Sequence, residues 1–188
     1  MLKIVTAPNP VLSDVTKPVS KVNANVQEIV EEMKKTLALT SDPKGVGLAA
    51  PQIGKSLRIF IAKPTDKSEV LVFINPQILQ KSSKVDYVKR SKKDASKKST
   101  KKKLEGCLSL PTIWGPVLRS SSVTISYLDE HGKSHEKKFS DFLATIVQHE
   151  MDHLNGILFP KRVLEQKGIL YKSHKNEKGE DIFEEIEI

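Results

Sequence analysis

The stretch that most constrains how this chain can fold is QHEMDHLNGILF, residues 148–159. Side chains four residues apart share one face of an α-helix, so His149 and His153 converge on a single point, with Glu150 flanking it. This is the H-E-x-x-H arrangement, in which two imidazoles hold a metal ion and the carboxylate serves as general base toward a water. The neighbouring residues predict the helix itself, over residues 141–154. Ser140 is placed as its N-cap, Phe142, Leu143, Ile146, Val147 and Leu154 recur at helical spacing, and Asn155-Gly156 is a stop signal. Phe142, Ile146, His149, Glu150 and His153 fall along one stripe, which puts the ionisable groups on the inward, apolar face. A buried carboxylate beside two imidazoles is unfavourable unless its charge is compensated, and a metal ion would do that. The fold must therefore bury this helix and bring another ligand to it, because a catalytic site normally has three protein ligands and one open position.

A simple extension of the motif does not supply that ligand. In H-E-x-x-H-x-x-G-x-x-H the third histidine follows the second by six residues; Gly156 fits, but the last position is Phe159. Glu165, twelve residues beyond His153, is a carboxylate alternative of the kind zinc peptidases use. His131 and His135 fall at a predicted hairpin tip and His174 in a polar tail, where exposure is the default. Cys107 remains, the only cysteine in the chain. It follows Gly106, which permits close backbone approach, and a thiolate is a soft ligand for zinc or ferrous iron. A cysteine hydrolase with Cys107 as nucleophile and a histidine as base is a rival reading of the same residues. A lone cysteine also rules out an internal disulfide framework and fits a reducing compartment.

The remaining pattern predicts an α+β fold with antiparallel sheets around the central helix, plus an N-terminal helix. Val26, Ile29, Val30, Met33 and Leu37 form a helical stripe over residues 24–39, ended by Thr40-Ser41-Asp42-Pro43. GVGLAAPQIG (45–54) has three glycines and small side chains, suited to a tight turn or close backbone approach. LRIFIAK (57–63) and VLVFINPQIL (70–79) read as strands. EGCLSLP (105–111) reads as a short loop or strand edge, and residues 121–139 as a β-hairpin turning at Asp129-Glu130-His131-Gly132. The alternating FEEIEI of the tail is too acidic for a core strand.

Charge would suggest a nucleic-acid partner only if it were spread over a folded face. The chain carries +8, but residues 81–103 alone hold eleven Lys/Arg and two Asp, which leaves the remainder near −1. That segment reads as a solvated, disordered insertion into one domain spanning 1–188, and Tyr87 is the one aromatic in it, so base stacking has little support. A nonenzymatic RNA-binding module built on the basic run is the corresponding rival, and weak attraction to a ribosome surface the milder version. No apolar run approaches membrane-spanning length, and MLKIVTAPNPVL has neither a signal-peptide core nor an arginine-rich transit pattern. A cytosolic or already processed protein is expected, with no membrane partner and no specific nucleic-acid binding.

Three segments then acquire a joint meaning. G-V-G-L-A-A-P-Q (45–52), E-G-C-L-S (105–109) and Q-H-E-M-D-H-L (148–154) resemble, in order and spacing, the signature motifs of peptide deformylases. The resemblance runs from LKIVTAPNPVL to about Lys161 and is thinnest in the insertion and tail. It implies removal of the formyl group from the N-terminal formyl-methionine of newly synthesised polypeptides, with release of formate, so N-formyl-methionyl nascent peptides are the implied partners. Carried over position by position, Cys107, His149 and His153 match the metal ligands and Glu150 the general acid/base. Gln52 matches a glutamine whose amide, with the backbone N–H of Leu108, faces the developing oxyanion; Gly47 and Gly106 match backbone positions at the substrate cleft. The resemblance implies one divalent metal ion per chain, with Fe2+ as native ion and Zn2+, Co2+ or Ni2+ accepted by the same ligands. Glu105 and Arg119 are expected to pair and orient the ligands. Two departures stand out: Trp114 in PTIWGP, where many bacterial members have an arginine, and the lysine-rich insertion. A lysine-heavy, arginine-poor composition suits an organellar enzyme from an AT-rich genome, in a plastid-type organelle such as an apicoplast or in a mitochondrion after removal of a transit peptide, with a bacterial cytoplasm as the alternative.

Overall fold

The segment Ile59–Ala62 is apolar at every position, which is the signature of a strand covered on both faces. In the structure, a computed structural model that describes residues 2–41, 44–88, 104–179 and 181–187, that is what it is. The chain runs through α1 (Ala24–Ala38), β1 (Gly47–Ala49), a 3-10 turn (Ala50–Ile53), β2 (Ile59–Ala62), β3 (Leu71–Lys81) and β4 (Val85–Asp86). It continues through β5 (Glu105–Cys107), β6 (Leu110–Gly115), β7 (Arg119–Ser120), β8 (Ser122–Leu128), β9 (Ser134–Ser140), α2 (Asp141–Leu154), α3 (Phe159–Glu165), β10 (Tyr171–Lys175) and β11 (Asp181–Glu185). The strands make a five-stranded sheet in the order β1-β2-β3-β8-β9, a four-stranded sheet β11-β10-β6-β5 and a pair β4-β7, all antiparallel.

The larger sheet separates the two long helices. Ile59 and Ile61 of β2 pack with Val26, Ile29, Val30, Met33 and Leu37 of α1, whose N-terminus is capped by the Asn23 side chain accepting from the Val26 amide at 3.1 Å. Phe60 and Ala62, pointing the other way, pack with Ala144, Ile146, Val147, Met151 and Leu154 of α2. Phe60 and Phe73 face each other across β2 and β3 with ring centroids 4.4 Å apart, and Tyr127 and Phe139 close the cluster at 4.6 and 5.5 Å from Phe73. Phe159 and Val163 of α3 join Val117 and Leu170 in a third apolar cluster that includes Cys107.

Helix α2 ends as its Asn155-Gly156 signal predicts. Gly156 adopts φ +68°, the Ile157 amide donates to Asp152 O at 2.9 Å and the Gly156 amide to His153 O at 3.1 Å, the paired bonds of a Schellman stop. A side chain on Gly156 would meet Ser13 O at 2.3 Å, so glycine is required there twice over. Its N-terminus differs from expectation. Ser140 holds the N-cap position in extended backbone, but its side chain makes no capping bond; it is the last residue of β9, and the strand ladder sets its geometry.

One further expectation is revised. Residues 81–88 do not belong to a solvated insertion: Lys81 ends β3, Val85-Asp86 pairs with β7, and Val88 is 3% exposed. Their lysines dominate the composition, but β7 gives Val85 a pairing strand although its side chain stays 51% exposed, and Val88 finds cover at the cleft. Residues 89–103, the rest of the predicted insertion, lie outside the described residues. EGCLSLP and PTIWGP together form the β5–β6 hairpin, and the acidic tail forms β11, an exposed outer strand in register with β10. For stability, Phe73→Ala should lower the unfolding free energy by about 3–5 kcal/mol. Urea denaturation at fixed metal content would read this as a lower midpoint with unchanged slope.

Candidate active site

Elements from three parts of the chain meet at one cleft of about 370 Å³, lined among others by Gly47, Gln52, Gly106, Cys107, His149 and Glu150. Helix α2 supplies the two imidazoles four residues apart, 5.1 Å between ring centroids. Hairpin β5–β6 supplies Cys107 beside a register shift in the strand pairing, where a strand side chain can be re-aimed. The Sγ of Cys107 lies 3.1 Å from His153 Nε2, and one ligand atom from each of Cys107, His149 and His153 falls within 4.8 Å of the others. Among the described residues this is the one such convergent group. Glu165 is not part of it: that carboxylate is an exposed partner of Arg162 at 2.9 Å. His131 is exposed, His135 pairs with Asp129 at 2.6 Å, and His174 lies near Glu184 on the tail hairpin.

The donor set fits a borderline divalent cation. Sulfur and two imidazole nitrogens converge, and next to them the buried Glu150 Oε2 has no hydrogen-bond partner among the described residues. A polar atom orphaned beside a ligand cluster points to a molecule that is not part of the chain. Burial raises the Cys107 thiol pKa, but the two histidines outweigh it and bring the value down to about 5, so the sulfur is a thiolate at neutral pH. Gln52 Nε2 at 3.4 Å and the Ser109 amide at 3.4 Å also point at that sulfur. Burial pushes the Glu150 carboxyl up to about 7, with the neighbouring thiolate adding to the shift and the histidines opposing it. A carboxyl poised near neutrality is suited to accept a proton and return it.

Behind the ligands runs a chain of charges. His149 Nδ1 is 3.1 Å from Glu105 Oε2, which leaves its other nitrogen for a ligand role. Glu105 receives a two-point clamp from Arg119, Nε to Oε1 at 3.0 Å and Nη2 to Oε2 at 2.9 Å. Arg119 Nη1 then donates to Asp152 Oδ2 at 2.6 Å, and Asp152 also accepts from Arg162 at 2.7 Å. Burial would raise the Glu105 pKa, but the guanidinium charge and the bonds from His149 and Arg119 hold it at about 2. Asp152 is likewise lowered against its burial by Arg162 and Arg119. The expected Glu105–Arg119 pair is present; Asp152 was missed, although its position three residues after His149 on a buried helix was a readable signal.

The glycine-rich segment holds the other wall. A Cβ on Gly47 would lie 2.3 Å from Glu150 Oε1, so this position keeps the carboxylate free to approach the backbone. Gln52 is locked from both ends of its amide: Oε1 accepts from the Ala49 amide at 2.9 Å, and Nε2 lies 3.2 Å from Ser109 Oγ. Leu108 follows Cys107 in the turn of the hairpin and lines the cleft. A Cβ on Gly106 would strike the Trp114 ring at 2.7 Å; the indole lies flat over that glycine and forms part of the cleft. Ser109 and Val88, also at the site, carried no signal in the sequence beyond their neighbours.

Comparison with known proteins gives one answer. The family described as polypeptide deformylase matches residues 1–168. A peptide deformylase of Borreliella burgdorferi is 36% identical over 179 residues, covering 95% of this chain and 98% of the relative. The crystal structure of a peptide deformylase from Thermotoga maritima superposes with a TM-score of 0.73 at 33% identity, over 86% of this chain and 97% of that one. A peptide deformylase from Synechococcus elongatus, solved in complex with actinonin, gives a TM-score of 0.72 at 31% identity, over 86% of this chain and 78% of that one.

Arg119→Ala should strand two buried carboxylates and lower stability by about 3–5 kcal/mol, together with a loss of bound metal per chain. Thermal unfolding and metal analysis would check it; a variant with full stability and full metal content would show that the charge chain does not hold the ligands.

Proposed function

The chain belongs to the polypeptide deformylase family, and on that premise we propose the residues by which it works. The reaction is metal-dependent hydrolysis of the N-formyl group of nascent peptides. Cys107, His149 and His153 hold one divalent ion; the observation that carries this reading is the convergence of their three ligand atoms beside an unpartnered Glu150 oxygen. A cation held there supplies Lewis acidity toward a water and toward the formyl oxygen. Glu150 takes the proton of the attacking water on its buried carboxylate and delivers it to the departing amine, a role favoured by its raised pKa. The Gln52 amide, preset by Ala49 and Ser109, and the backbone N–H of Leu108 donate to the oxygen on which charge develops. Gly47 and Gly106 are the backbone positions assigned to the peptide, both on the cleft wall, where their missing side chains make room for the Glu150 carboxylate and the Trp114 ring.

The whole chain, 1–188, forms one deformylase-like unit around the α2 helix that bears the ligands. Ferrous iron is the native ion on this reading, with zinc, cobalt or nickel as substitutes, because sulfur and imidazole donors accept all four. With four arginines among 31 basic residues, the composition supports an organellar enzyme of an AT-rich genome, in an apicoplast-like plastid or a mitochondrion; the bacterial relatives are equally consistent with a bacterial cytoplasm. Among the described residues, no helix is long and apolar enough to cross a membrane. The basic residues of 89–103 supply weak, salt-sensitive attraction to the ribosome surface.

Protein loaded anaerobically with ferrous iron should release formate from a formyl-methionyl peptide, and a chelator should abolish the release. Absence of formate from protein shown to hold its metal would overturn the assigned chemistry. Cys107→Ser should lose most bound metal; if it kept its metal, Cys107 would not be a ligand. Deleting residues 89–103 should leave formate release intact while weakening cosedimentation with ribosomes at low salt, and unchanged cosedimentation would remove the segment from that role.

A further inference from the structure

The family match ends at residue 168, yet the segment beyond it pairs with the strand that carries Trp114, a residue of the cleft wall. Strand β10 pairs with β6 so that Tyr171 lies opposite Trp114 and Lys172 opposite Ile113. On the other side, Gly106 of β5 is the partner of Trp114. The indole is therefore flanked by the strand that carries the metal-ligand cysteine and by the C-terminal hairpin. Two contacts from the hairpin hold it. Trp114 Nε1 donates to the Oγ of Ser173, a buried residue of β10, at 2.9 Å. The Phe183 ring of β11, directly across from Ser173, meets the indole edge-on with centroids 5.9 Å apart. Phe183 is 41% exposed on a strand whose other residues are also exposed, so burial in a core does not account for an aromatic there. The neighbouring Lys175 and Asp181 pair with each other at 2.8 Å, and Glu185, two residues beyond Phe183 and opposite Tyr171, adds a carboxylate on the same face of the hairpin.

We propose that the β10–β11 hairpin is a specificity element of this deformylase: Ser173 and Phe183 position Trp114, which then selects for an apolar side chain in the peptide beyond the formyl-methionine. The inference rests on the deformylase reading above. A peptide with its formyl end at the three ligands leaves the cleft past Gly106 and Trp114, both of which line it. The indole, with Phe183 beyond it, is the large apolar surface that this wall of the cleft offers the peptide. Ser173 and Phe183 are positioning residues, since they act through Trp114. Neither contacts the reacting groups, and their loss should alter recognition of longer peptides while leaving the chemical step unchanged.

The test compares wild type with Ser173→Ala, Ser173→Thr, Phe183→Ala and Phe183→Tyr, each loaded with metal. Formyl-Met-Ala and formyl-Met-Leu-Phe serve as short and extended substrates. Trp114 is the only tryptophan of the chain, so intrinsic emission reports its surroundings directly. Ser173→Ala and Phe183→Ala should raise KM for the tripeptide about fivefold, the size of one neutral hydrogen bond, with kcat and both dipeptide constants unchanged. Both variants should also red-shift the emission, while Ser173→Thr and Phe183→Tyr should behave as wild type. Equal effects on the two substrates, no effect on either, or a KM change without a shift in emission would overturn the proposal. If wild type released no formate from either peptide, the deformylase reading would fail, and the hairpin's role in substrate selection with it. Unchanged emission in Ser173→Ala and Phe183→Ala, with wild type releasing formate, would overturn the hairpin's role alone.

Discussion

The guanidinium of Arg119 lies between two carboxylates that belong to different parts of the chain, Glu105 on the strand that ends in Cys107 and Asp152 on the helix that carries both histidines. All three residues are buried. One cation thus joins the two elements whose relative position defines the ligand triangle. Desolvating these charges is unfavourable, and only their mutual pairing and the additional bonds to His149 and Arg162 offset it. The reward in structural terms is directional. A two-point clamp on Glu105 leaves its outer oxygen aimed at His149 Nδ1, so the imidazole presents its other nitrogen to the cleft.

From that constraint the electrostatics of the cleft follow. Glu105 remains ionised deep in the protein because Arg119 faces it, whereas Glu150, equally buried and without such a partner, has its pKa pushed up to about 7. Two glutamates of the same site therefore carry opposite tendencies, set by what surrounds each. One is held as an anion and orients a ligand. The other holds its proton more tightly than an ordinary carboxyl because burial disfavours its charge. Gly47 completes this arrangement by the absence of a side chain, since any Cβ there would occupy the space of the Glu150 carboxylate.

Much of the scaffold was legible because its periodicities are strong. The stripe Val26-Ile29-Val30-Met33-Leu37 became α1, with bounds of Ala24–Ala38 against the predicted 24–39. The 141–154 helix and the hairpin of residues 121–139 came out within a residue or so of their expected limits, since the Gly156 stop and the alternation of β8 are local signals. Where a local signal competed with tertiary pairing, the pairing prevailed. The lysines around Val85 and Val88 read as a solvated run, but β7 offered a partner strand and the cleft an apolar surface. Ser140 had the identity of a cap, but as the final residue of β9 its side chain does not turn back onto the helix.

The amino-acid sequence by itself determined which groups are the candidates for the chemistry. His149, Glu150 and His153 are tied together by helical spacing, Cys107 was singled out as the one thiol, and three short motifs named the family. Only the tertiary structure decided how those groups are held. No pattern within the chain states that Asp152 and Glu105 share Arg119, that Gln52 is braced by Ser109, or that the tail lends Ser173 and Phe183 to Trp114. The physical reason is range. Helical and strand periodicities act between residues a few positions apart, so they can be read locally. Each of the other contacts depends on the burial and strand register of segments far apart in sequence, which exist only once the sheets have formed around α2.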